Sequence, residues 1–389
     1  MSTSYWLDRT PQIGEKNYDV VIVGAGISGL STAFWLNKED PSLKIAIIEK
    51  SRVAYGASGR NAGFITCGSV EHFNRMINKH GLEQATQIWK FAEENLNLLK
   101  QEIIQDGGAE LEFEQNGAYS LAAQPNEFEE LKSVAATMNK LKIPAEIFTA
   151  DEIRERVGPQ GFVGGIKYVD DASVNPVKLV NKMRSLIKAD IFEGVEAFRI
   201  EENSAGTRVL KTDAGDFEAP MILMNLNGFS ANLHPWFKDK IYATRAQCLM
   251  FEPVKRFMDG PCYANFYLDY FRQLPTGQLL IGGFRQIEKE TEVGYSDHIT
   301  EPIQNALHDF VITHLPQYKD ARVTHRWGGI MGFAKDGEPM IGSIPDDQQV
   351  FFAGGYTGHG LGLAFHTGKQ LVNLIFGREV PKWLSARRF

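Results

Sequence analysis

Gly24, Gly26 and Gly29 punctuate DVVIVGAGISGLSTAFWL, a run that reads as a buried β-strand turning directly into a helix. Each glycine has its own reason. Gly24 permits the tight turn off the strand, Gly26 lets the backbone approach a pyrophosphate, and Gly29 lets the helix lie close to the sheet. The helix start, at Ile27 and Ser28, offers unpaired N–H groups and the positive end of its dipole to phosphates. Glu49 closes the next strand, IAIIEK, twenty positions after Gly29. An acid there accepts hydrogen bonds from both hydroxyls of an adenosine ribose and repels a 2′-phosphate, which selects FAD or NAD over NADP.

Two further glycine-rich turns favour FAD. GASGRNAGF, from Gly56 to Phe64, follows the acid closely, and its small residues with Ser58, Arg60 and Asn61 suit a wall lying against a flat, polar ligand. A plain structural turn is the alternative. Near the far end, Gly354-Gly355-Tyr356-Thr357-Gly358-His359-Gly360 leads into the last helix. A helix N-terminus aimed at the pyrimidine edge of a flavin stabilises the charge that appears on N1 and the C2 oxygen on reduction.

The elements that must position these turns alternate in character. A long amphipathic helix with Ile88, Ala92, Leu96, Leu99 and Ile103 on one face runs to Gly107-Gly108. Short strands are expected around Leu111 to Phe113 and at Ala118 to Ala122, then a helix led by Pro125. From Asn175-Pro176 a helix, VKLVNKMRSLIKA, leads into the strands DIFEGV, EAFRIE, TRVLKT and PMILMNLNG. YATRAQCLMFEP, NFYLDYFRQL and GQLLIGG then read as antiparallel strands. The expected fold is α/β: a Rossmann-like FAD-binding domain (1–85, 150–235 and 325–389) interleaved with an α+β substrate domain (86–149 and 236–324) on a mostly antiparallel sheet.

Composition excludes several classes. The chain has 389 residues, 43% hydrophobic and 23% charged, which suits a compact enzyme of two domains. Its 41 basic and 48 acidic residues give a net charge of −7, and the short Arg387-Arg388 terminus is the one basic block, so nucleic acid is not expected as a partner. Cys67, Cys248 and Cys262 lack metal spacing, and MSTSYWLDRT lacks the regions of a signal peptide, which points to a reduced, cytoplasmic setting. The uncharged run Val20 to Asn37 is the glycine motif itself, so no membrane span is expected.

Taken together, DVVIVGAGISGLSTAFWL…IIEK, GASGRNAGF, YVDDASVNPVKL, LPTGQLLIGG, RWGGIMGFAKDGEPMIG and FFAGGYTGHGLGLAF resemble the D-amino-acid oxidase superfamily, which includes glycine oxidase and sarcosine oxidase. Ser4 to Trp6 (SYW), the GASGRNAG loop, the Trp327 segment and GYTGHG look most like the γ-glutamylputrescine oxidoreductase type. The resemblance covers nearly the whole chain. It implies two domains, bound FAD, hydride transfer from a C–N bond to flavin N5, and hydrolysis of the imine. With the motifs, it makes candidate cofactor contacts of Gly24, Gly26, Ile27, Ser28, Gly29, Glu49 and Lys50, of Ala57, Ser58, Arg60, Asn61, Ala62 and Gly63, of Val195, and of Gly355, Gly358, His359, Gly360 and Leu361.

Two positions depart from the family pattern. Where glycine oxidase-like relatives carry an arginine that grips the substrate α-carboxylate, this chain has Met331, which ranks α-amino acids below amines. Where covalent-flavin relatives carry a histidine or cysteine, it has Arg60-Asn61 and Gly329, so the FAD is expected to be non-covalent.

The substrate is then a small primary or secondary amine, such as a γ-glutamylated polyamine or an N-methylated amine, with oxygen or another acceptor taking the electrons. A glycine oxidase-like or D-amino-acid oxidase and a non-catalytic flavin subunit are the rivals. Tyr270, at a position that carries a substrate-contacting tyrosine in glycine oxidase, Arg272 on the same strand face, and His359 are the candidate catalytic residues. Arg272 is the expected receiver of an acid group remote from the amine. His366 reads as interior packing, Trp327 and Phe333 as pocket wall or domain seam, and Lys335-Asp336-Gly337 as a turn.

Overall fold

The computed structural model describes residues 16–265 and 269–389. Ser4 to Trp6 lie outside the described residues.

Val20–Val23 is apolar at all four positions and buried throughout, the composition of a strand covered on both faces. It sits inside a six-stranded sheet ordered Met340–Ile344, Asp347–Gly354, Met221–Met224, Val20–Val23, Ile45–Glu49, Asp190–Glu193. All neighbours are parallel except the Met340–Ile344 and Asp347–Gly354 pair at one edge. Helices Ile27–Glu39 and Gly360–Ile375 pack together on one face. Trp35 Nε1 donates to the Phe365 carbonyl at 2.9 Å across that contact. The other face packs Val21, Val23, Ile222 and Met224 against Leu210 and Phe217. Those two belong to a four-stranded sheet of Lys16–Asn17, Gly215–Ala219, Arg208–Thr212 and Ala197–Glu202.

The second large layer is an eight-stranded sheet ordered Val323–Ala334, Ile241–Phe251, Leu279–Gly282, Asp269–Gln273, Cys262–Ala264, Ala118–Ala122, Gly164–Tyr168, Ala145–Thr149. Its pairs are antiparallel except for Cys262–Ala264 with Ala118–Ala122. Leu249, Phe251, Phe271 and Ile281 form a core with Ile303, Leu307 and Val311 of helix Glu301–His314. Of the residues alternating with these, Ala246, Cys248 and Tyr270 line a cleft.

Three local expectations differ. No strand forms at Leu111 to Phe113, because Leu111 N–H and Phe113 N–H bond back to Gly107 and Gly108 and Glu112 takes φ 52. Within NFYLDYFRQL the described strand is Asp269–Gln273: Asn265 takes φ 50 outside any strand, and Asp269–Gln273 pairs antiparallel with Cys262–Ala264, which precedes that run. The helix from Pro176 ends at Leu186, short of Ala189, and Lys188 N–H instead donates to Asn37 Oδ1 at 2.7 Å. The boundaries expected at 150 and 325 put Gly164–Tyr168 and most of Val323–Ala334 with the nucleotide segments. Both strands are hydrogen bonded into the eight-stranded sheet, because their partners Ala118–Ala122 and Ile241–Phe251 lie there. Among the described residues no helix is long and apolar enough to cross a membrane.

Candidate active site

A cleft of roughly 970 Å³ runs between the carboxyl ends of the parallel strands and the inner face of the eight-stranded sheet. Ligands bind at such strand ends in open α/β sheets. At its floor, Gly24 takes φ 106, a conformation that favours glycine, and its N–H bonds the Ile48 carbonyl at 2.8 Å. Gly26 is the N-cap of helix Ile27–Glu39 and has no side chain to cap it, so nothing of its own stands between the helix N-terminus and a phosphate. Ser58 Oγ accepts from Ile27 N–H at 2.9 Å, tying the second glycine loop to the first. Gly29 does not line the cleft: a Cβ there would stand 1.9 Å from the Gly24 carbonyl oxygen.

Glu49 lines the cleft with its carboxylate turned to the backbone: Ala25 N–H and Ser51 N–H each donate to it at 2.9 Å. Each oxygen keeps a second acceptor site, so ribose hydroxyls can still be received. Val195 lines the same end, and Lys50 sits at the rim, paired with Glu196 at 2.7 Å. Ser28 Oγ turns inward to Asn225 Oδ1 and the Tyr356 hydroxyl, both 2.7 Å away, so its backbone is what it offers a ligand.

In the second loop, Ala57, Ser58, Arg60, Asn61 and Ala62 line the cleft. The Asn61 side chain is a staple within the loop, accepting from Gly63 N–H at 2.7 Å and donating to the Ala57 and Ser58 carbonyls. Arg60 is held by Asp297 at 2.7 Å and the Gly328 carbonyl at 2.8 Å. Trp327 Nε1 donates to the Arg60 carbonyl, so this tryptophan joins the loop to the sheet. Gly63 and Gly355 do not line the cleft; both hold positive φ in the turns behind it. Gly358, His359, Gly360 and Leu361 do line it.

The sheet-side wall carries Tyr270, whose ring lies over Gly282, where a Cβ would meet the ring at 2.5–2.7 Å. Phe64 packs edge-on to both Tyr263 and Tyr270. Met331 and Phe333 lie on the same wall. Arg272 shares the strand face with Tyr270 but does not line the cleft; it is 3% exposed and buried behind Gly63. Arg285 does reach this wall, its guanidinium 4.7 Å from the centre of the Phe333 ring. Cys248 also reaches the cleft, but burial pushes its thiol up to about 11, which keeps it protonated. Cys67 is buried outside the cleft.

His359 stacks on His72, ring centres 4.4 Å apart. Burial pulls both imidazoles below the ordinary range, so both are neutral near pH 7. Their tautomers follow from their partners. His359 Nδ1 faces the Thr357 carbonyl at 3.1 Å and must carry the hydrogen, which leaves Nε2 as an acceptor. His72 Nδ1 accepts from Arg75 at 2.8 Å, so its hydrogen is on Nε2. His366 lies in the interior, stacked on Phe91 with centres 3.8 Å apart. Burial lowers its pKa from 6.5 to about 4, so stability it supplies above pH 6.5 drains as pH falls toward 4. His366→Phe should flatten that decline by an amount on the order of 3 kcal/mol in unfolding free energy measured from pH 7 to 4. An unchanged slope would show that the ring does not resist protonation.

His72, Asn225, Cys248 and Arg285 were not expected at the site. Asn225 alone had a signal, following a parallel strand at the end where ligands bind. The cleft fits FAD: it has a glycine cradle, a helix N-terminus begun by Gly26, an acid at the second strand, and Asn225 Nδ2 as a buried donor without a partner. Among the described residues no cluster could hold a metal ion.

The family model described as DAO, FAD dependent oxidoreductase, matches residues 19–374. A probable oxidoreductase OrdL of Rhizobium meliloti is 27% identical over 94% of this chain and 85% of its own. The γ-glutamylputrescine oxidoreductase of Escherichia coli is 22% identical over 92% of this chain and 84% of its own. Glycine oxidase from Geobacillus kaustophilus superposes with a TM-score of 0.78 at 21% identity, covering 94% and 96% of the two chains.

Proposed function

Because the chain belongs to the DAO family of FAD-dependent oxidoreductases, and is thus an enzyme acting on amines or amino acids, we propose that it oxidises the C–N bond of an amine lacking an α-carboxylate. The observation that carries this reading is Met331 on the cleft wall, an apolar thioether that offers no hydrogen bond to a carboxylate. A γ-glutamylated polyamine or an N-methylated amine is the substrate class, and the FAD is bound without a covalent link. The protonated thiol of Cys248 supports the second point.

Bound FAD supplies the two-electron acceptor. The chain does the rest. Tyr270, Phe64 and Tyr263 form an aromatic wall that orients the substrate carbon and excludes water. His359 Nε2, the free acceptor of a neutral imidazole, takes the proton that an ammonium must lose before its C–N bond can be oxidised. Arg285, which lines the cleft beside Phe333, receives an acid group remote from the amine, the role expected of Arg272.

Anaerobic mixing with a panel of amines tests the reading by bleaching of the flavin. γ-Glutamylputrescine or an N-methylated amine should bleach it well ahead of glycine and D-alanine. Met331→Arg should improve kcat/KM for glycine by a charge-assisted hydrogen bond, about 1.5–3 kcal/mol or roughly ten- to a hundredfold. Efficient turnover of glycine by the unmodified protein overturns the assignment.

A further inference from the structure

Arg272 occupies a setting that its packing alone does not require. It lies on strand Asp269–Gln273, 3% exposed, behind the cleft that Tyr270 faces. Nη2 donates to the Val174 carbonyl at 2.8 Å, and Nε has no partner. A Cβ built on Gly63 would stand 2.8 Å from Nη2, so the guanidinium presses on the back of that turn. Ala62 and Phe64, on either side of Gly63, both line the cleft. The turn is one residue thick between the charge and the cavity.

The surrounding charges do not cancel it. Glu114 and Glu112 are the carboxylates that act on Arg272. Glu114 is already paired with Arg256 at 2.6 Å and Glu112 with Lys178 at 2.7 Å. Three cations share two carboxylates, and the buried one is left over. Burial lowers Arg272 only to about 10, so it is charged at neutral pH. A buried charge with an unpartnered N–H is costly to keep, and a methionine would fill similar space. Its use must lie in its field, which falls off slowly in a low-dielectric interior.

We propose that Arg272 is a positioning residue for charge: held behind Gly63, its guanidinium acts across the Ala62–Phe64 turn to favour reduction of the FAD bound in the cleft. Reduction adds negative charge, and a fixed positive charge close by stabilises the reduced state. The inference rests on FAD occupying this cleft and on no particular amine, so it can fail while the substrate assignment stands, and the reverse.

The test is equilibrium reduction of the purified holoenzyme against a reference dye, without amine. Arg272→Met should lower the two-electron reduction constant about tenfold, which is about 30 mV for a two-electron couple. Arg272→Lys, which keeps the charge, should stay within about threefold of the unmodified protein. Glu114→Gln removes a carboxylate that opposes Arg272 and should shift the constant upward. A yellow Arg272→Met protein with the unmodified constant overturns the proposal, as does an Arg272→Lys protein that falls as far as the methionine variant. If Arg272→Met retains no FAD, Glu114→Gln decides: a rise supports the proposal, and no change or a fall overturns it.

Discussion

Gly29→Ala is expected to give no folded, yellow protein, whereas Gly26→Ala should fold and bind FAD more weakly. The two glycines sit three residues apart in one motif, yet a methyl meets different things at each. At Gly29 it would lie 1.9 Å from the Gly24 carbonyl oxygen, a backbone atom. Gly24 cannot withdraw, because its own N–H is bonded to Ile48 and a Cβ position on it already lies 2.7 Å from the Asn225 carbonyl. Nor can the helix retreat, since Gly368 of the last helix lets Ser31 come within 2.8 Å of its Cβ position. Overpacking against backbone on both sides should cost more than about 3 kcal/mol. At Gly26 the nearest atom is Ser58 Oγ at 2.8 Å, the end of a side chain that can rotate at the loss of its bond from Ile27 N–H. Flavin absorbance and a thermal melt of each variant check this, and a yellow Gly29→Ala protein with an unchanged Tm refutes it.

Glu292→Leu should be the most damaging single change outside the glycine turn. Arg245 and Glu292 are 1% and 0% exposed, and their ion pair closes at 2.6 Å. Arg245 also donates to the carbonyls of Ser296 and Thr291, and Gln247 donates to the same carboxylate. Removing the acid leaves a buried guanidinium with no counter-charge, a loss of about 3–5 kcal/mol. The damage should reach the cleft, because the loop that carries Glu292 also carries Arg285, Tyr295 and Asp297 on its wall. Arg245→Leu with Glu292→Leu should recover part of the loss, since no charge is stranded. Denaturant unfolding of the two singles and the double measures the coupling, and additive losses would show that the pair does not act as a unit.

What could be read from the sequence was what neighbours along the chain decide. The strand, glycine turn, helix and Glu49 form one contiguous run, so their order was visible. Met331 and Tyr270 were placed through family motifs, and both reach the wall. Depth was not visible. Alternation put Arg272 on the face of Tyr270, but its covering, Gly63 and Val174, arrives from distant segments. Arg285, just past the strand Leu279–Gly282, reaches the cleft through the turn that follows it. His72 and His359 meet only because the start of helix Val70–Leu99 packs beside the last glycine turn, and no local pattern couples residues so far apart. Gly164–Tyr168 was assigned by its position between segments, whereas its strand partners decide its layer.

The pairing of the first helix with the last bears on how the protein is made. Strand Val20–Val23 leaves the ribosome about two hundred residues before its parallel neighbour Met221–Met224, and helix Gly360–Ile375 comes later still. Until then the apolar flank formed by Phe34, Trp35 and Leu30 has no Phe365 to close on. The nascent chain therefore carries an unfinished nucleotide cradle until helix Gly360–Ile375 has been made, and cofactor capture waits for that helix.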